Sequence, residues 1–113
     1  MKTSELTGAA LDWAVAKCEG YIFEAEQILD RSDDSVFYTF RPSTDWAQGG
    51  PIIEREKVFV KPTINRGWRS YRRDPFGNGI CNSQYGPTPL VAAMRCYVAS
   101  KLGDDIDIPK ELA

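Results

Sequence analysis

One stretch restricts this chain more than any other. Residues 86–103, Gly-Pro-Thr-Pro-Leu-Val-Ala-Ala-Met-Arg-Cys-Tyr-Val-Ala-Ser-Lys-Leu-Gly, carry both the start and the stop of a helix. Thr88 offers the side-chain oxygen of an N-cap, and Pro89 has the fixed φ and the missing N–H that suit a first helical position. Leu90, Met94, Tyr97 and Val98, with Ala93, recur at helical spacing and give a buried stripe. Gly103 is a stop after Leu102, and Lys101 suits the negative end of the helix dipole. The first turn also presents free N–H groups beside Thr88, an anion site wherever a pocket adjoins them. Arg95 lies two turns in, either as a surface ion pair or as a phosphate ligand.

A second helix is marked near the N-terminus. Thr7 is its N-cap, Leu6 can pack on Leu11 as a hydrophobic staple, and Gly20 stops it after Glu19. Leu11, Ala14, Val15 and Cys18 form its buried stripe, and Trp13 lies off that stripe as a flank covered by another element.

Between these helices the reading turns to strands and loops. Residues 21–23 suit a strand with a turn, although 24–29 have helical composition, and the polar run 30–35 is a loop tip. Residues 36–40 are dense in aromatic and β-branched types and read as a strand. No hydrophobic period runs through 42–50, Pro-Ser-Thr-Asp-Trp-Ala-Gln-Gly-Gly, so this segment reads as a shaped loop. Gly49 and Gly50 would let a ligand or another chain approach its backbone. Pro51 then starts a short helix through Glu56. Residues 58–60 and Trp68–Arg73 are strands joined by a turn at 65–67. The thirteen residues 74–86 read as a long binding-type loop. The acidic tail after Gly103 docks in extended form. The expected fold is α+β, one domain over residues 1–113, with a small antiparallel sheet packed by an N-terminal and a C-terminal helix.

Composition narrows the function. With 14 Lys and Arg against 16 Asp and Glu, the net charge is −2, which speaks against general nucleic-acid binding. No apolar run is long enough to span a membrane, and no hydrophobic leader precedes residue 6, so the protein is expected to stay where it is made. Cys18, Cys81 and Cys96 are an odd number without a paired motif, and histidine is absent. These read as reduced, mostly buried thiols, with no metal site, no cofactor and no catalytic residue. The missing histidine also removes the usual general base.

Three blocks of this chain resemble one family. They are residues 6–17 (Leu-Thr-Gly-Ala-Ala-Leu-Asp-Trp-Ala-Val-Ala-Lys), residues 42–54 (Pro-Ser-Thr-Asp-Trp-Ala-Gln-Gly-Gly-Pro-Ile-Ile-Glu) and residues 86–104. Together they are similar to the NinX-type proteins of tailed bacteriophages, a domain of unknown function. The resemblance covers the whole chain in order and is least typical over 21–40 and 58–85. It implies a small phage accessory protein made in the host bacterial cytoplasm, and it carries no catalytic residue over. More loosely, Pro-Ser-x-Asp-Trp after an aromatic strand is similar to small phage proteins that sequester cyclic dinucleotide or cyclic ADP-ribose immune signals. Here the motif stands mid-chain and is followed by a helix, unlike in those proteins.

The functional expectation is therefore non-enzymatic capture of a small phosphorylated nucleotide as a counter-defence sponge. Trp46 and Trp68 would wall the base, and Arg69 and Arg95 would pair with phosphate. Asp45, Gln48 and Thr88 would hydrogen-bond ribose or base, beside the Gly49 and Gly50 backbone. The alternative is a protein–protein module that inhibits a host enzyme or modulates phage replication or recombination, with exposed aromatics as anchors. A carboxylate hydrolase is a third reading, weakened because Glu54 and Glu56 point to different sides of a helix. Thirteen large aromatics in so short a chain also point to a homodimer.

Overall fold

A computed structural model of the chain describes residues 1–20, 40–76, 79–110 and 112. They contain the helices α1 (Gly8–Cys18), α2 (Trp46–Glu56) and α3 (Pro89–Leu102) and the strands β1 (Phe59–Pro62), β2 (Trp68–Arg73) and β3 (Ile80–Gly86). A turn of 3-10 helix, Thr3–Glu5, precedes α1. The strands pair antiparallel in the order β1-β2-β3. This is the expected α+β arrangement, with helices flanking the sheet. The assignments for residues 21–39 fall outside the described residues.

Capping sets α3 as its residue types require. The Thr88 hydroxyl accepts from the Val91 N–H at 3.1 Å, and the Gly103 N–H donates to Ala99 O at 3.0 Å. The expected stripe is buried, but so is every residue from 90 through 99. The reason is position. The sheet packs on one side of α3, while α1 and α2 pack on others, and Ala92, Ala93 and Ala99 let them come close. Ser70, fully buried on β2, donates its hydroxyl to Ala92 O at 2.5 Å, which ties sheet to helix. At the end of β3, Gly86 runs against the same helix: a Cβ there would stand 2.6 Å from the Ala92 nitrogen.

α1 starts after Thr7 as expected, although the Thr7 side chain makes no capping hydrogen bond. Leu6 and Leu11 are fully buried, Trp13 is covered, and Gly20 closes the helix at φ 85°. The tail docks in extended form through a Lys2–Asp105 bridge, with Thr3 donating from its N–H to Asp104 O and from its hydroxyl to Gly103 O.

Two loop expectations are overturned. Residues 46–50 are not loop but the first turns of α2, which starts five residues before Pro51. Asp45 caps it by accepting from the Ala47 N–H at 2.9 Å, and a tight turn from Arg41 delivers it. Gly49 and Gly50 hid this helix because both are poor helix formers, and Pro51 lacks the donor that Ala47 O would take. Gly49 is there for space. A Cβ on it would stand 2.4 Å from Pro42 O and 2.6 Å from Leu90 Cδ2, so the close approach belongs to the chain's own turn and to α3. Likewise, residues 80–86 form β3 and not the end of a long loop. Asn82 takes a positive φ of 58° opposite a register shift between Ser70 and Arg72, a bulge that admits turn-type residues into a strand.

Candidate anion-binding site

Among the described residues β3 is an edge strand, and the turn between β1 and β2 curls over its end. That turn is built by Thr63, whose hydroxyl donates to Gly67 O and accepts from the Arg66 N–H. Gly67, at φ 73°, allows it, and a Cβ there would meet Gly86 O at 2.4 Å. Arg66 is thereby held beside β3, with its guanidinium 3.9 Å from the centre of the Tyr85 ring.

From the other side α3 sends in Arg95. Only 8% of this residue is exposed; its Nε donates to Leu6 O at 2.9 Å and its Nη1 to Tyr85 O at 2.7 Å. Burial pushes its pKa down from the ordinary arginine value. A third guanidinium stands close by, where Arg69 Nε donates to Ser83 Oγ at 3.1 Å. None of Arg66, Arg69 and Arg95 makes an ion pair among the described residues.

These groups border an open cavity of about 430 Å³ lined by Ser4, Arg66, Ser83, Gln84, Tyr85 and Arg95, together with Gly86 and Pro87. Among the described residues two cations line it and no carboxylate does. Gln84 adds an orphan: its side-chain Oε1 is buried and has no hydrogen-bond partner among the described residues.

Two other cavities differ in charge. One of about 620 Å³ includes Arg55, Glu56, Lys57, Arg72 and Arg73, but Glu56 neutralises Arg55 at 2.8 Å and Arg72 at 3.6 Å. Arg55 is further held by Glu19 at 2.5 Å. The other, about 380 Å³, lies against Gly8, Asp12, Phe40, Arg41 and Thr44. Burial raises the Asp12 carboxyl there, against the hydrogen bond from the Ser43 N–H that lowers it.

Of the residues singled out from the sequence, Arg95 lines the 430 Å³ cavity and Arg69 reaches it through Ser83. Trp68 is half-buried at the start of β2, paired with Gly86. Thr88 is committed to capping α3. Asp45 and Gln48 close the entry to α2: Gln48 Nε2 donates to Asp45 Oδ2 at 3.0 Å, and its Oε1 accepts from the Arg41 N–H at 2.7 Å. Trp46 stands 56% exposed on the first turn of α2. Gly49 touches Leu90, which brings the α2 start beside the α3 start, while Asp45, Trp46 and Gln48 line none of these three cavities. Sequence reasoning missed Ser4, Ser83, Gln84 and Tyr85. The last three sat in the segment taken for a loop, and nothing about Ser4 marks it.

Among the described residues no helix is long and apolar enough to cross a membrane, and no cluster of three metal-ligating side chains occurs. Over residues 2–101 the chain matches the family model described as Bacteriophage P22, NinX. No curated protein matches it.

Proposed function

The chain belongs to the phage NinX family, and on that premise we propose that it is an accessory protein that captures a small phosphorylated nucleotide and holds it intact. The observation that carries this reading is the pair of guanidiniums, Arg66 and Arg95, lining a cavity with no carboxylate to neutralise them. A buried cation held only by carbonyl oxygens favours an anion, and guanidinium groups fit phosphate oxygens in bidentate fashion. The unpartnered Gln84 oxygen asks for an N–H or O–H donor, which a nucleobase or ribose has and inorganic phosphate at neutral pH largely lacks. The Arg66 guanidinium, already stacked on Tyr85, offers its outer face to a base.

Among the described residues neither cysteine, lysine nor carboxylate lines the cavity, which supports binding without turnover. In a phage protein acting in the host cytoplasm, the fitting role is a sponge for a cyclic dinucleotide or cyclic ADP-ribose signal. A homodimer belongs to the same proposal and is read by light scattering. Titration calorimetry against those two ligand classes tests it. Saturable heat that disappears in Arg66→Ala, with the ligand recovered unchanged after denaturation, is the expected result. Absence of heat across the panel, or recovery of a cleaved ligand, overturns it.

The exposure of Trp46 favours one second reading, a protein partner on the α2 face. There, Trp46→Ala would abolish a stoichiometric pull-down from host lysate while leaving nucleotide binding unchanged.

A further inference from the structure

The net charge of −2 hides a strong asymmetry. Residues 57–73 contain six lysines and arginines and no aspartate or glutamate, and the three strands together contain no carboxylate at all. Strand geometry then sorts these residues by face. Val60, Ser70 and Gln84 turn towards α3 and the core. The register pairs Phe59 with Tyr71, and Lys61 with Arg69, which in turn pairs with Tyr85, so these residues share the opposite face.

On that face four flat groups stand in layers. Arg73 lies 5.6 Å over the Phe59 ring, Phe59 stacks on Tyr71 at 5.1 Å with only 5° between the planes, and Arg69 lies 5.1 Å over Tyr71. The layer is accessible: Phe59 is 43% exposed, Lys61 and Arg73 are exposed, and Tyr71 and Arg69 are half-buried. Neither Arg69, Arg73 nor Lys61 makes an ion pair among the described residues.

We infer that this face of the sheet binds single-stranded nucleic acid. The argument is complementarity of charge and shape. Cations that make no ion pair among the described residues attract a polyanion, and guanidinium and aromatic planes set side by side on a sheet are surfaces on which unpaired bases stack. A duplex buries its base faces and so offers no partner for the layered planes. An acidic protein offers charge but no stacking bases. The face meets the Arg66–Arg95 cavity at Arg69 and Tyr85, but Phe59, Lys61, Tyr71 and Arg73 line no part of that cavity, so either site can be disabled without the other. The low overall charge that spoke against nucleic-acid binding averages this face with acidic segments elsewhere, and binding responds to local potential.

Fluorescence anisotropy with a short labelled oligothymidylate, an oligouridylate and a duplex of equal length tests this. Single strands are expected to bind with log K falling against log salt at a slope between about −2 and −3, for three to four phosphate contacts at about −0.7 each. Phe59→Ala, at an exposed edge position, should weaken binding about tenfold or more without changing that slope. Lys61→Gln and Arg73→Gln should each make the slope shallower by about 0.7. Preference for the thymidylate or the uridylate names the strand type. Binding of the duplex as tight as that of the single strand, competition by polyglutamate at equal charge, unchanged affinity in Phe59→Ala, or no anisotropy change at low salt would each overturn the inference. Arg66→Ala, retaining oligonucleotide binding after losing small nucleotides, keeps this result separate from the cavity.

Discussion

A Cβ placed on Gly49 would stand 2.4 Å from the carbonyl oxygen of Pro42. The turn that starts α2 and the helix itself therefore touch backbone to backbone, with Leu90 of α3 closing the third side. Gly50, the next residue, has nothing nearer such a Cβ than Trp46 at 3.9 Å. Two adjacent glycines of one helix thus predict opposite outcomes. Gly49→Ala should cost about 1–3 kcal/mol, since carbonyl and helix must separate. Gly50→Ala should stabilise by about 0.5–1 kcal/mol through helix propensity. Urea unfolding of the two variants reads the contrast, and equal midpoints would show that the turn yields.

Acid sensitivity should trace to Glu19. Burial on its own would raise this carboxyl, but bonds from Arg55 and from the Tyr97 hydroxyl more than offset it and hold it below the usual 4.5. A carboxyl held down by folding contributes stability above its unfolded value, and that contribution is lost as pH falls through the lower folded value. Glu19→Gln should cost about 1–3 kcal/mol at neutral pH and flatten the acid limb of the stability curve. Asp12 has the other sign, because burial raises it. Asp12→Asn should remove a gain in stability that wild type shows as pH drops from the raised folded value towards 3.8. Thermal melts across pH 3–8 would show both.

The three thiols should differ in reactivity. Burial pushes Cys18 up to about 12 and fully buried Cys96 up to about 11, so neither holds appreciable thiolate near neutral pH. Cys81 is half-exposed on β3. Mass spectrometry after brief labelling at pH 8 should find one adduct per chain, on Cys81, and three after unfolding. Rapid native labelling of Cys96 would mean that α3 leaves the sheet readily.

Arg95 and Arg66 should separate folding from binding. Arg95→Met removes two charge-assisted bonds to buried carbonyls and should cost about 3 kcal/mol or more. Arg66 is exposed and bonds through its backbone N–H, so Arg66→Ala should shift stability by no more than about 0.5 kcal/mol while removing half of the cavity's cationic lining. Calorimetric unfolding beside ligand titration distinguishes the two.

The helices at either end were legible because their limits are local chemistry: Thr88 and Pro89 opening α3, Gly20 and Gly103 closing α1 and α3. Trp68–Arg73 was legible through its alternation. The first turns of α2 were not, since Gly49 is chosen for contact with Pro42 and Leu90, partners remote from helix propensity. β3 was concealed by a bulge that places Asn82 in a conformation strands rarely use. The cavity stayed hidden for a related reason. Ser4, Arg66, Gln84 and Arg95 come from four separate segments, and only the packing of β3 beside α3 brings them together. The burial of Arg95 was not legible either, because its carbonyl partners, Leu6 and Tyr85, lie 89 and 10 positions away.

The burial of α3 on all sides also fixes an order of events. It follows α1, α2 and all three strands in the chain, yet all of them pack on it. Until residues 89–102 have emerged, the sheet and the apolar stripe of α1 lack the helix that, among the described residues, covers both. Folding of these elements must therefore wait until α3 has emerged, where many proteins begin from their N-terminal part. A nascent chain halted before residue 89 should leave residues 1–20 and 40–76 open to protease, and emergence of α3 should protect them in one step.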